Sequence, residues 1–341
     1  MSESKEWALP PELRPDPGAL AYDLGAALSA LVLLRAEVPE DAFTAGVLGT
    51  ERLGHGALIT VGGRTLVLTI GYLVTEASTI WLTSHSGRVV QGHALAYDYA
   101  TGFGLVLPLG PLDGAVLPLA TQLPETGDEL VAAGHGGIAH ALACRLVARR
   151  EFAGYWEYLL DEALFTAPPL PLWSGSALLG QDGSLVGIGS LLTQASVPGR
   201  DVPVGAPGDA PAGGAPDVHA NMYVPVTAIA SQLQLLADTG SNGLPPRPWL
   251  GVYASEDDGD VQVAGLVARG PAHAAGLSLG DTIRAVGGLP VASLPAFYRA
   301  LWSQGNAGAS FMLQVERAGE PLDLRVQSAS RESFLKQPQR H

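Results

Sequence analysis

A chain of 341 residues with 47% hydrophobic content can bury a large core or two. Its net charge of −14 leaves no basic surface to neutralise phosphates and disfavours adhesion to an anionic membrane, which argues against nucleic-acid and membrane partners. The single cysteine, Cys144, excludes an intrachain disulfide, and 43 glycines with 26 prolines point to short strands and turns rather than long helices.

In chain order, residues 1–26 form an N-terminal extension whose first part is polar and Pro-rich and reads as an extended arm. The apolar segment Gly18–Leu34 is broken by Asp23 and Gly25 and is too interrupted to span a bilayer. With no signal peptide in view, the expected location is cytoplasmic. Ala27–Glu37 is strand-capable, and Glu37–Gly54 is a turn-rich loop. Gly54–Val74 then reads as a hairpin turning at Gly62-Gly63. Further strand patterns follow to Arg149. The stretch Ser174-Gly175-Ser176-Ala177 is a tight loop of small residues, followed by Leu178-Leu179, a turn at Asp182-Gly183, and the strand Leu185–Ile188.

Residues 197–217 are rich in Pro, Gly and Ala and are expected to be flexible, having nothing large to bury. Ile229, Leu233 and Leu236 are spaced for a helix over Val226–Asp238. Gly240–Pro248 reads as a linker. Beyond it, Gly270-Pro271-Ala272-His273-Ala274-Ala275-Gly276-Leu277 leads to Gly280-Asp281-Thr282-Ile283. A helix at Leu294–Ser303 and a hairpin turning at Ala318-Gly319 complete a second domain, and a polar tail ends the chain.

These segments resemble the HtrA (DegP-like) branch of trypsin-like serine proteases. The loop at Ser174 is similar to that family's Gly-Asn-Ser-Gly-Gly-Pro nucleophile loop, and Asn221–Val226 to its last barrel strand. The run from Gly270 resembles the PDZ domains of bacterial proteases. The resemblance implies an all-β dominated fold: a chymotrypsin/trypsin-like double β-barrel over 27–239 with an insertion near 195–220. A linker (240–248), a PDZ domain of α+β type (249–328) and a tail (329–341) follow.

The resemblance also assigns site positions. Ser174 stands where the nucleophile stands, and Leu172 replaces the glycine of the oxyanion hole. Tyr72 stands at the histidine of Thr-Asn-Asn-His-Val-Val. Gly102 stands at the second aspartate of Asp-Pro-x-x-Asp-Leu-Ala-Val-Leu, whose first survives as Asp98. A phenol with its usual pKa near 10 is a poor general base at neutral pH, and glycine cannot orient one. The expectation is therefore a degenerate triad and a pseudoprotease.

Trp249, Leu250, Gly251 and Val252 fall on the loop that captures a peptide carboxylate in PDZ domains, and Phe297 and Leu301 are expected to face that groove. The implied partners are protein C-termini and an active HtrA-like protease, in an oligomer, with trimers usual in the family. Two alternatives stand beside this: a serine endopeptidase using Ser174 with a non-standard base, and a chaperone-like binder of unfolded segments. His55 reads as a structural histidine on a turn rather than a relocated base. His135 lies on a loop, and His273 near a helix start. No His, Cys or Asp spacing indicates a metal, and Asp257-Asp258-Gly259-Asp260 reads as a solvated turn; no cofactor is expected.

Overall fold

The computed structural model describes residues 7–196 and 217–336. The expected mobility of 197–217 concerns residues that, up to 216, lie outside the described ones. The chain divides into two compact units. The first runs to Arg150 and continues over Glu162–Asn242; the second comprises Glu151–Asp161 and Gly243–Gln337.

In the first unit, helix α1 (Leu24–Ser29), capped by the Asp23 side chain, leads into strand β1 (Leu31–Glu37). A short helix α2 (Ala45–Leu48) precedes β2 (Glu51–Val61), β3 (Arg64–Ile70), β4 (Thr79–Thr83), β5 (Val89–Tyr97) and β6 (Phe103–Pro108). They close into a barrel in the order β1-β2-β3-β6-β5-β4. Leu66, Val67, Leu68 and Ile70 of β3 are all buried, as a β-branched and leucine-rich strand in a closed barrel requires.

The second barrel follows the order β10-β11-β12-β9-β8-β7. Its strands are β7 (Glu129–Ala133), β8 (Ala141–Gly154), β9 (Tyr158–Ala167), β10 (Ala177–Leu179), β11 (Leu185–Ser196) and β12 (Asp217–Pro225). Cys144 on β8 is 5% exposed, and burial pushes its thiol up to about 12.

Two local expectations are corrected. The N-terminal arm contains 3₁₀ turns at Pro11–Leu13 and Pro17–Ala19. It is tied down as well: Leu9 is buried and its N–H donates to Ala139 O at 2.9 Å. The helix expected over Val226–Asp238 begins late. Two 3₁₀ turns, Val226–Ala228 and Ala230–Gln232, precede α3 (Leu233–Thr239). Val226, Thr227 and Ile229 are β-branched and favour helix poorly. Ile229, Leu233 and Leu236 are nonetheless all buried.

In the second unit, β13 (Val252–Asp257), β14 (Asp260–Leu266), β15 (Thr282–Val286), β17 (Ser310–Arg317) and β18 (Glu320–Gln327) pair in that order. The short β16 (Leu289–Pro290) pairs with β15, so β13 is an edge strand. Helices α4 (Pro271–Ala274) and α5 (Leu294–Trp302) complete it. Ser293 caps α5, its Oγ accepting from Ala296 N at 3.2 Å. Leu294, Phe297, Tyr298 and Leu301, at helical spacing, form the face it buries.

Candidate functional site

Ser174 lies on the turn between Pro168 and β10. Gly175 takes φ +72° there, and a Cβ at that position would run into the His55 carbonyl oxygen and the Thr69 hydroxyl, so only glycine fits. The turn is closed by Ser176 N donating to Trp173 O (2.9 Å) and Gly175 N to Gly189 O (2.8 Å). It is held against the first barrel by His55 N donating to Ser174 O at 2.8 Å.

Tyr72 sits on a 3₁₀ turn, Gly71–Leu73, directly after β3. Its hydroxyl is 2.8 Å from Ser174 Oγ and donates to Ser190 O at 2.9 Å. A phenol has one proton. With that proton given to Ser190 O, the Ser174 hydroxyl donates to the Tyr72 oxygen. Burial pushes the Tyr72 phenol up to about 12, opposed by its contacts with Ser174 and Trp173. Fewer than about one molecule in 10⁴ then carries a phenolate at pH 7. A phenolate would also face the Ser190 carbonyl oxygen.

Gly102 meets this turn through its backbone: its carbonyl accepts from Gly71 N at 2.7 Å. Tyr97 packs its ring against Gly71, where a Cβ would collide with it. From the other side, buried Arg52 donates to Tyr72 O (2.7 Å) and Thr75 O (2.8 Å). It also donates to Thr44 Oγ1, which in turn donates to Glu76. Leu172 turns a half-exposed side chain outward.

His55 is buried, but its ring is directed at Gly134 and His135. Its Nδ1 accepts from His135 N at 3.1 Å, which leaves the proton of the neutral ring on Nε2. Burial first, then His135 and His140, lower it to about 4, so it is uncharged at neutral pH. Only its backbone meets Ser174. Trp173, Ser190 and Arg52 escaped the sequence reading, because each reaches the site through main-chain atoms or across long sequence separations.

In the second unit, Gly251 has φ +75°, and a Cβ there would lie 3.0 Å from Val267 Cβ and 3.1 Å from the Trp249 ring. This conformation aims three successive N–H groups, of Leu250, Gly251 and Val252, at one point. Glu157 accepts from them at 3.1, 2.7 and 2.9 Å. Trp249 does not join them: its N–H donates to Ala329 O and its ring packs on Phe334 at 4.8 Å. Phe297 and Leu301, expected to face a groove, are 0% exposed and lie in the core cluster with Leu250 and Val252. Leu159 of the β8–β9 hairpin belongs to the same cluster. Glu157 was not anticipated; its signal was a glycine-led turn, Gly154-Tyr155-Trp156-Glu157, between two strand patterns.

Two family models match the chain: a trypsin-like peptidase domain over residues 54–188 and a PDZ domain over 248–327. The fold, a trypsin-like double barrel followed by a PDZ domain, matches that of HtrA-type structures. Among solved structures, a serine endoprotease from Yersinia pestis is 18% identical over 89% of this chain and 95% of its own, with a TM-score of 0.51. A variant of the HtrA-type protease AlgW with a tripeptide is 18% identical over 90% and 96%, at 0.53. No curated protein sequence matches. At these identities the likeness concerns the fold. Among the described residues, no group of three or more His, Cys, Asp or Glu side chains is placed to hold a metal ion. Among the same residues no helix is long and apolar enough to cross a membrane.

Proposed function

We propose that this HtrA-like chain is a pseudoprotease that acts by binding, taking protein C-termini through its PDZ domain and serving as a regulatory module to a partner such as an active protease. The observation that carries the reading is the Tyr72 hydroxyl on Ser174 Oγ at 2.8 Å. Serine hydrolysis needs a base beside the nucleophile and a group orienting that base. Here the neighbour is a protonated phenol whose own proton is committed to Ser190 O, and the orienting position is a glycine. In another serine protease, loss of the base alone lowers turnover by about 10⁶.

The test is a fluorophosphonate probe followed by intact mass, with Ser174→Ala in parallel and unfolded casein as a substrate. Wild type and Ser174→Ala are expected to be indistinguishable in both assays. Stoichiometric labelling that vanishes in Ser174→Ala overturns the reading and restores an endopeptidase with an unorthodox base.

A further inference from the structure

The loop that would take a peptide's carboxylate already holds one. Glu157, at the tip of the β8–β9 hairpin, is 8% exposed and has φ +58°. It is grouped with the second unit, as part of Glu151–Asp161, although the sequence reading placed these residues inside the protease-like domain. Its carboxylate receives the N–H groups of Leu250, Gly251 and Val252.

The main chain beside it continues the pattern. Ala254, two residues along β13, donates its N–H to Tyr155 O at 2.9 Å. Glu157 thus lies at the start of β13 and Tyr155 further along it, so the segment runs antiparallel to the free edge of that strand. This is how an extended peptide adds to a sheet edge, with its carboxylate at the loop and its carbonyls on the strand. The difference is that the carboxylate here belongs to a side chain and the chain does not end.

Further contacts fix the segment. The Tyr298 hydroxyl of α5 donates to Gly154 O at 2.6 Å and accepts from Glu157 N at 3.2 Å. Leu159 joins the apolar cluster of Leu250, Val252, Phe297 and Leu301. Arg299 of α5 pairs with Glu151 and Asp161 on the hairpin's two strands, pairs exposed enough to add little.

We propose that the Gly154–Leu159 hairpin tip is an internal ligand of the PDZ groove, docked through Glu157, and that a peptide with a free C-terminal carboxylate binds only by displacing it. The proposal rests on the reading of this groove as a peptide site. A tethered ligand competes at high effective concentration, so an outside peptide meets only the undocked fraction and its apparent affinity falls by that fraction. Burial raises the Glu157 carboxyl to about 7 against the pull of the three N–H groups and Arg331, which makes the docked state one that can be released.

The test uses the full chain. Glycine suits a position with φ +58°, so Glu157→Gly removes the carboxylate and keeps the turn. In that variant, amide exchange at Leu250, Gly251, Val252 and Ala254 is expected to rise at least tenfold, with the rest of the second unit still protected. A pool of nine-residue peptides ending in Val, Leu or Phe with a free carboxylate is expected to restore protection and to bind at least tenfold tighter than to wild type. Its amidated counterpart is expected not to. Glu157→Gln, which keeps the side chain's shape, moves exchange and affinity the same way by less, and supplies the reading if the glycine variant is unstable. Unchanged exchange at the four amides in both variants overturns the proposal, as does equal peptide affinity in wild type and variants. Amides that open in the variants while no peptide binds support the docked hairpin and overturn peptide capture.

Discussion

The Ser174 turn and the Gly251 loop present two different kinds of candidate site in one chain. At Ser174 the proposed reading depends on side chains: Tyr72 and Gly102 stand where the resemblance implies a base and its orienter. The scaffold brings one side chain, Tyr72, to 2.8 Å from the serine hydroxyl, and its protonated phenol is a poor acceptor of that proton. At Gly251 the proposed carboxylate capture depends on main-chain N–H groups, which almost any sequence supplies once a glycine holds φ +75°. On the proposed reading, a site made of side chains is vulnerable to substitution, whereas a site made of backbone is governed by what occupies it.

The largest effect that can break this contrast is recovery of chemistry. Tyr72→His alone is expected to leave Ser174 unlabelled, because nothing at Gly102 orients an imidazole; in other triads a failed orienter costs about 10⁴ in rate. Tyr72→His with Gly102→Asp is expected to label at least tenfold faster than either single variant, measured with the fluorophosphonate probe. Labelling that stays at background in the double variant would place the defect in the Ser174 loop, at Leu172 and Trp173.

The Tyr72 turn also depends on a buried cation. Arg52→Leu removes the donor from the carbonyls of Tyr72 and Thr75, and each buried acceptor left bare costs about 1–3 kcal/mol. Denaturant unfolding of the first unit is expected to lose roughly 3–5 kcal/mol. A loss under about 1 kcal/mol would mean that water replaces the guanidinium.

Much of this was legible beforehand and some was not, for physical reasons. The Ser174-Gly175 turn and the run Gly270–Ile283 are local, so their residues declare themselves in order. Tyr72 beside Ser174 was legible only through resemblance, since 102 positions separate them. Arg52 and Glu157 act on backbone atoms far away in sequence, and no periodicity records such a partner. Phe297 and Leu301 carried a correct helical stripe, but periodicity gives the apolar face and does not say whether core or ligand covers it.

The backbone site is sharpened by pH. Glu157 faces the three N–H groups, the Tyr298 hydroxyl on α5 and Arg331 beyond β18, and its folded carboxyl is raised from 4.5 to about 7. A raised carboxyl binds more protons folded than unfolded, so its contribution is full below pH 4.5 and is lost as pH rises through 7. The second unit is therefore expected to weaken by up to about 3 kcal/mol between pH 4.5 and 8, and Glu157→Gln to remove that part of the slope. Identical slopes in wild type and Glu157→Gln would show that Glu157 does not titrate in the docked hairpin.

The smallest effect is Gly251→Ala. A non-glycine residue in the left-handed region costs about 1–2 kcal/mol, and the neighbours at 3.0 and 3.1 Å must give way. Calorimetry is expected to show a modest loss confined to the second unit's transition. Ser174 and Tyr72 should be untouched, which hydrogen exchange around Gly71–Val74 can report.

Cys144 has a use that its chemistry does not advertise. The chain has one thiol, and that thiol is 5% exposed and held protonated far above neutral pH. Reagents that need a thiolate will pass it by. The protein is thus optically blank to maleimide chemistry, and any cysteine placed on its surface becomes the sole attachment point. Tyr155, 54% exposed on the docked hairpin, is a natural position. A dye carried by Tyr155→Cys would report in real time whether the groove has let go of its own chain.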